Sequence, residues 1–93
     1  MNVYLHLGGD TVIRKDEIVG IFDLENSTIS VRTREFLTEA EKNGKIVNVS
    51  AELPKSFVVC QEQGVTRIYI CQLLPGTLIK RASQMMGEAE RKE

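Results

Sequence analysis

The sequence predicts an α+β fold: small antiparallel β-sheets or hairpins packed with two helices. Three features carry that expectation. "VYLHLG" and "FVVCQEQGVTRIYIC" are apolar, strand-forming stretches broken by glycine turns. "VRTREFLTEAEKNG" and "TLIKRASQMMGEAE" have helical spacing. The order is strands, helix, strands, helix, without the regular alternation that builds a parallel sheet.

In the opening stretch Val3, Leu5 and Leu7 share one face and Tyr4 and His6 the other. This period of two is that of a strand, and Gly8-Gly9-Asp10 stops it. "TVI" reads as a second short strand or the continuation of a hairpin. The charged run "RKDE" follows, with Arg14 and Lys15 near the strand end. "EIVGIFD" reads as a well-buried strand in which Gly20 marks a bulge or a close backbone approach. "LENSTI" reads as a loop.

From about Val31 the spacing turns helical. Phe36, Leu37 and Ala40 lie near one face, and Asn43-Gly44 supply a C-terminal stop. "KIVNVS" predicts a short strand, and "AELP" a connector. "KSFVVCQEQGVTRIYICQL" predicts a hairpin. With Gln63-Gly64 central in its turn, Val59 lies opposite Ile68 and Phe57 opposite Ile70. Cys60 then faces Arg67, and Cys71 faces Ser56. Thr77 is a candidate N-cap for a last helix in which Leu78, Ala82, Met85 and Ala89 share a face. Residues 1–86 read as one domain and 87–93 as a flexible tail.

At 93 residues the chain has a thin margin of core, and at 42% hydrophobic it holds more apolar material than a small monomer need expose. Net charge is −1, with acids and bases intermixed, so no chain-wide basic footprint exists. No stretch is apolar enough to cross a membrane. "MNVYLHLGG" lacks the basic start and cleavage region of a signal peptide, so a cytoplasmic location is expected.

The residues that could carry chemistry do not assemble. His6 is the only histidine, and neither a second histidine nor a short-range Cys/His cluster supports a metal. Cys60 and Cys71 sit in apolar strands, where free cysteine packs as a small hydrophobe. "LGGD" lacks the pattern of a phosphate loop. No enzyme and no cofactor are expected. The bases occur in short groups: Arg14-Lys15, Arg32 with Arg34, Lys42, Lys45 and Lys55, and Lys80-Arg81. Taken singly, each group is most simply a solvated surface. Arg32 and Arg34 sit near a helix start, where positive charge opposes the helix dipole, which favours an external or intersubunit partner.

Taken whole, the chain resembles a known family. "YLHLGGDTVIRKDEIVGIFDLENS", "TREFLTEAEKNGKIVNV", "PKSFVV" and "RIYICQLLPGTLIKRA" are similar, in order and spacing, to the small bacterial extracellular-matrix regulatory proteins. They are most like the RemB branch, which is related to RemA. The resemblance spans about residues 3–86. It implies a cytoplasmic, DNA-binding transcriptional regulator of extracellular-matrix or biofilm genes. It also implies assembly as a cyclic homo-oligomer larger than a dimer, with double-stranded DNA held mainly by its phosphate backbone. Of the candidate phosphate contacts, Lys55 falls on a basic position of the family, and Arg14 and Lys15 lie slightly upstream of another and would serve by a small shift. Arg32 and Arg34 are weaker basic candidates from their own place at a helix start. The chain departs from the family at three basic positions, occupied here by Glu17, Glu52 and Leu53. Those departures leave an alternative: a protein-interaction or assembly module without direct DNA binding.

Overall fold

The computed structural model describes the backbone of residues 3–27 and 30–91, and side chains for these except residues 26, 27 and 84–91. It is α+β. Strands β1 (Tyr4–Gly8) and β2 (Thr11–Arg14) form an antiparallel hairpin. A single 3-10 turn, Lys15–Glu17, leads into β3 (Ile18–Asp23), followed by a one-turn helix α1 (Leu24–Ser27) and the longer α2 (Val31–Lys42). Strands β4 (Ile46–Asn48), β5 (Ser56–Glu62) and β6 (Val65–Cys71) precede the last helix, α3 (Pro75–Arg91). The four later strands form one sheet in the order β3-β5-β6-β4.

The β5–β6 hairpin has the expected register: Val59 pairs with Ile68, Phe57 with Ile70, Cys60 with Arg67 and Ser56 with Cys71. Its turn explains why. Gln63 and Gly64 both have positive φ, 54° and 83°, as a two-residue turn that matches strand twist requires. Alternation along β5 then sorts the core into two layers. Val58 and Cys60, with Tyr69 and Cys71 from β6, face Leu5, Leu7 and Ile13 of the first hairpin and Leu78 of α3. Phe57, Val59 and Ile68 face Ala40 of α2 on the other side.

Helix α2 begins at Ser30, whose Oγ accepts from the Thr33 N–H at 3.5 Å. It ends in a paired C-terminal cap. The Gly44 N–H donates to Glu41 O and the Lys45 N–H to Ala40 O, with Gly44 at φ 68°.

Four expectations are corrected. The larger sheet is mixed, because β4 adds parallel to β6; α2 serves as the crossover from β3, and a strand of three residues gave no parallel signal of its own. "LENS" is a helical turn rather than loop; residues 28 and 29 lie outside those described. Strand β3 is only half-buried, since it forms a sheet edge and its register shifts between Ile18 and Gly20, a bulge that leaves Val19 63% exposed. Thr77 is not a cap. Pro75 opens α3, and the Leu74 carbonyl already accepts from the Leu78 N–H at 3.1 Å. Gly20 marks both a bulge and a close approach, because the Phe22 ring lies over it. The expected Met85 and Ala89 face falls on side chains outside those described. Of the expected tail at 87–93, the backbone to residue 91 belongs to α3, and residues 92 and 93 lie outside the described residues.

Candidate nucleic-acid interface

The basic candidates fall at two ends of the larger sheet. Arg14 closes β2 and Lys15 opens the 3-10 turn, next to the end of β5 where Ile18 pairs with Cys60. Lys55 precedes the other end of β5. Its N–H donates to Cys71 O at 2.9 Å and its carbonyl accepts from the Leu24 N–H at 3.0 Å. Strand β5 has seven residues, so its ends lie about 20 Å apart at ~3.4 Å per residue. Arg14, Lys15 and Lys55 therefore do not converge on one rim within a subunit.

At the first end, local partners hold the charges. The exposed Arg14 guanidinium donates to both oxygens of Asp16, at 3.0 Å from Nε and 2.7 Å from Nη2. Glu17 lies 4.0 Å from the same side chain. The hydrogen bond to Asp16 raises the Arg14 pKa above its ordinary value and holds that of the Asp16 carboxyl below the usual range. Lys15 turns inward along α3, and its Nζ donates to Ala82 O at 3.1 Å.

Arg81 reaches the same corner, its Nη1 donating to His6 O at 3.5 Å. Arg14, Lys15 and Arg81 thus form a cationic corner, with Asp16 and Glu17 set among them. The sequence showed Lys80-Arg81 only as a separate pair. Joining it to Arg14-Lys15 needed the packing of α3 on the first hairpin, which the apolar Leu78 and Ala82 positions hinted at but did not orient.

At the second end, Lys55 is half-buried, and no hydrogen bond or ion pair of its ammonium is formed among the described residues. The loop before it is shaped by Ser50, whose Oγ donates to Gln72 Oε1 at 2.8 Å and accepts from the Glu52 N–H at 3.1 Å. Glu52 and Leu53 are left exposed, Leu53 at 76%. Arg32 and Arg34 are exposed on α2. Arg34 borders a shallow hollow with Glu35, Glu39 and Lys42, so that face is of mixed sign.

Next to Glu17 stands a polar network that residue order did not announce. The Glu62 carboxylate accepts from Tyr69 Oη at 2.5 Å and from Arg67 Nε at 3.1 Å. Burial, and then the bond to Glu62, raise the Tyr69 pKa. Glu17, Glu62, Gln63, Val65 and Arg67 line a hollow there, so the position where the family resemblance places an arginine carries an acid beside a second acid.

The cysteines are buried and free. Burial, followed by the charges of Glu62 and Glu17, pushes the Cys60 thiol up to about 12, the opposite of what a nucleophile needs. His6 is exposed, and among the described residues no group of three His, Cys, Asp or Glu side chains could hold a metal. No helix among the described residues is long and apolar enough to cross a membrane.

With both sheets, the crossover and the last helix placed, the comparison with known proteins is direct. Residues 4–82 match the RemA-like family, described as extracellular matrix regulatory protein A-like. The chain belongs to this family. It is also 40% identical, over 83 residues, to extracellular matrix regulatory protein B of Bacillus subtilis (strain 168), a match covering 89% of this chain and 94% of that protein. The matched span runs from β1 to Ala82, where Lys15 clasps α3, so it takes in both core layers. Membership in the RemA-like family supports a regulatory role.

Proposed function

We propose that this RemA-like chain is an oligomeric, DNA-binding transcriptional regulator of extracellular-matrix or biofilm genes. In this reading it acts in the cytoplasm, without catalysis, and grips duplex DNA through phosphates. The observation that carries the reading is the family match across nearly the whole fold. Charge says how it would have to work. A subunit of net charge −1 has no broad field to attract DNA, so affinity must come from local cations repeated by symmetry. The two basic ends of a subunit, about 20 Å apart, would span roughly six phosphates of one strand at ~3.4 Å each. Contacts of that kind position DNA and favour sequences that bend, with little reading of base edges.

Duplex binding over a salt series, for wild type and the Arg14→Ala/Lys15→Ala/Lys55→Ala variant, tests this. The expected result is tighter wild-type binding and a shallower salt slope in the variant, by about one unit of log K per log salt for each phosphate deprived of its cation. Wild-type binding no tighter than the variant's would refute the assignment of these residues.

A second reading is a protein-interaction or assembly module without direct DNA contact. The Arg14–Asp16 pair, the Lys15 bond to Ala82 O, and the acids at Glu17 and Glu52 favour it. Pull-down from lysate before and after nuclease treatment separates the two. Partners retained after nuclease support the module; their complete loss contradicts it.

A further inference from the structure

We propose that the two open edges of the four-stranded sheet dock on each other between copies of this chain, the β4 edge of one copy pairing in parallel with the β3 edge of the next. The inference rests on the oligomeric reading above and gives it a surface.

Strands β3 and β4 end the sheet order β3-β5-β6-β4. On β3, the Leu24 N–H bond to Lys55 O fixes which residues face β5, and alternation then turns the Ile21 N–H and C=O to the open side. On β4, the carbonyl of Lys45 and the N–H of Val49 bond to β6, so Ile46 and Asn48 point their backbone groups outward. Exposed edges are ordinarily blunted by charge, proline, a bulge or shortness. Strand β3 has a bulge between Ile18 and Gly20 and β4 is three residues long, but neither charge nor proline interrupts Val19-Gly20-Ile21-Phe22, which leaves Val19 and Phe22 63% and 40% exposed.

Direction and charge choose the occupant. β3 and β4 both run parallel to β6, so a rotation that carries the sheet from copy to copy sets them parallel to each other. That alignment brings the two strand starts together, Lys45 before β4 beside Glu17 before β3. Pairing β3 with its own copy is disfavoured. An antiparallel pair would set Glu17 against Asp23, and a parallel pair would set Glu17 against Glu17. The contact is heterologous, as a closed ring requires.

Two edge-blocking variants and their mixture test this by mass. Val19→Lys charges the β3 edge at an exposed position. Asn48→Pro removes an outward N–H while leaving the β4–β6 ladder intact, and Asn48→Lys is the substitute if the proline variant does not fold. Circular dichroism and urea unfolding establish that each variant is folded. Light scattering is expected to show each variant alone as a monomer. Their equimolar mixture is expected to give a one-to-one dimer, since Val19→Lys keeps a working β4 edge and Asn48→Pro a working β3 edge. Wild-type mass retained by either folded variant would overturn the pairing, as would a mixture that stays monomeric. Loss of assembly in Val19→Lys alone would point to β3 pairing with itself and would equally overturn it. The readout is independent of DNA, so absence of DNA binding would bear on the functional reading and leave this result standing.

Discussion

Substituting alanine at Gly20 probes the most crowded glycine among the described residues. An added Cβ would lie 2.7 Å from Cε1 and 2.8 Å from Cζ of Phe22, where carbon atoms prefer about 3.5–4.0 Å. The ring must therefore swing away from Phe57, on which it stacks with centroids 5.0 Å apart and planes 15° from parallel. Losing the stack removes roughly 0.5–1.5 kcal/mol. Exposing about half of the ring's buried surface removes ~1 kcal/mol more. Against this, alanine restricts the unfolded chain and returns ~0.4–1 kcal/mol, because Gly20 lies outside the positive-φ region. The net expectation is a loss of about 1 kcal/mol, or roughly 4–8 °C in Tm. In a Phe22→Ala background there is no ring to displace, so the same substitution should stabilise by about 0.5 kcal/mol. Urea unfolding of the four proteins at one fixed concentration measures the coupling, expected near 1.5 kcal/mol. An equal effect of Gly20→Ala in both backgrounds, or stabilisation in wild type, would refute the reasoning.

Three further outcomes are expected. Gln63→Asn should raise the urea midpoint by the equivalent of ~0.5 kcal/mol, since asparagine tolerates the positive φ of 54° better; an unchanged or lower midpoint contradicts the turn assignment. Ser56 is fully buried, and its Oγ donates to Leu73 O at 2.7 Å. Ser56→Ala should therefore lower stability by about 1–2 kcal/mol, and wild-type stability in the variant would show that bond to be idle. Cys60 has a folded-state pKa of about 12, raised from an ordinary 9.0, so its contribution is complete below pH 9 and is lost as pH rises from there through about 12. Urea midpoints measured across that window should fall less steeply in Cys60→Ala than in wild type; identical slopes would count against the burial argument.

Legibility in the sequence followed the range of the forces involved. The β5–β6 register could be read because Gln63-Gly64 fixes it within a few residues, and α2 because its apolar spacing and its Gly44 stop are local. The parallel placement of β4 could not, since three residues carry little periodicity and α2 decides where they land. The half-exposure of β3 was hidden by its composition: "IVGIF" is as apolar as an interior strand, and only the sheet order reveals an edge. The candidate site behaved the same way. Arg14, Lys15 and Lys55 could each be named, but their separation by the length of β5, the Asp16 pair and the Lys15 bond to α3 all arise from tertiary packing.

The mass of the assembled protein bears most directly on the proposed function. Light scattering after size exclusion, at several protein concentrations and salt levels, is expected to give one species larger than a dimer. On addition of duplex DNA that species is expected to shift to a protein–DNA complex that salt dissolves. A persistent monomer or simple dimer at high concentration would contradict the account, because the few cations of one subunit would then have no symmetry to multiply them.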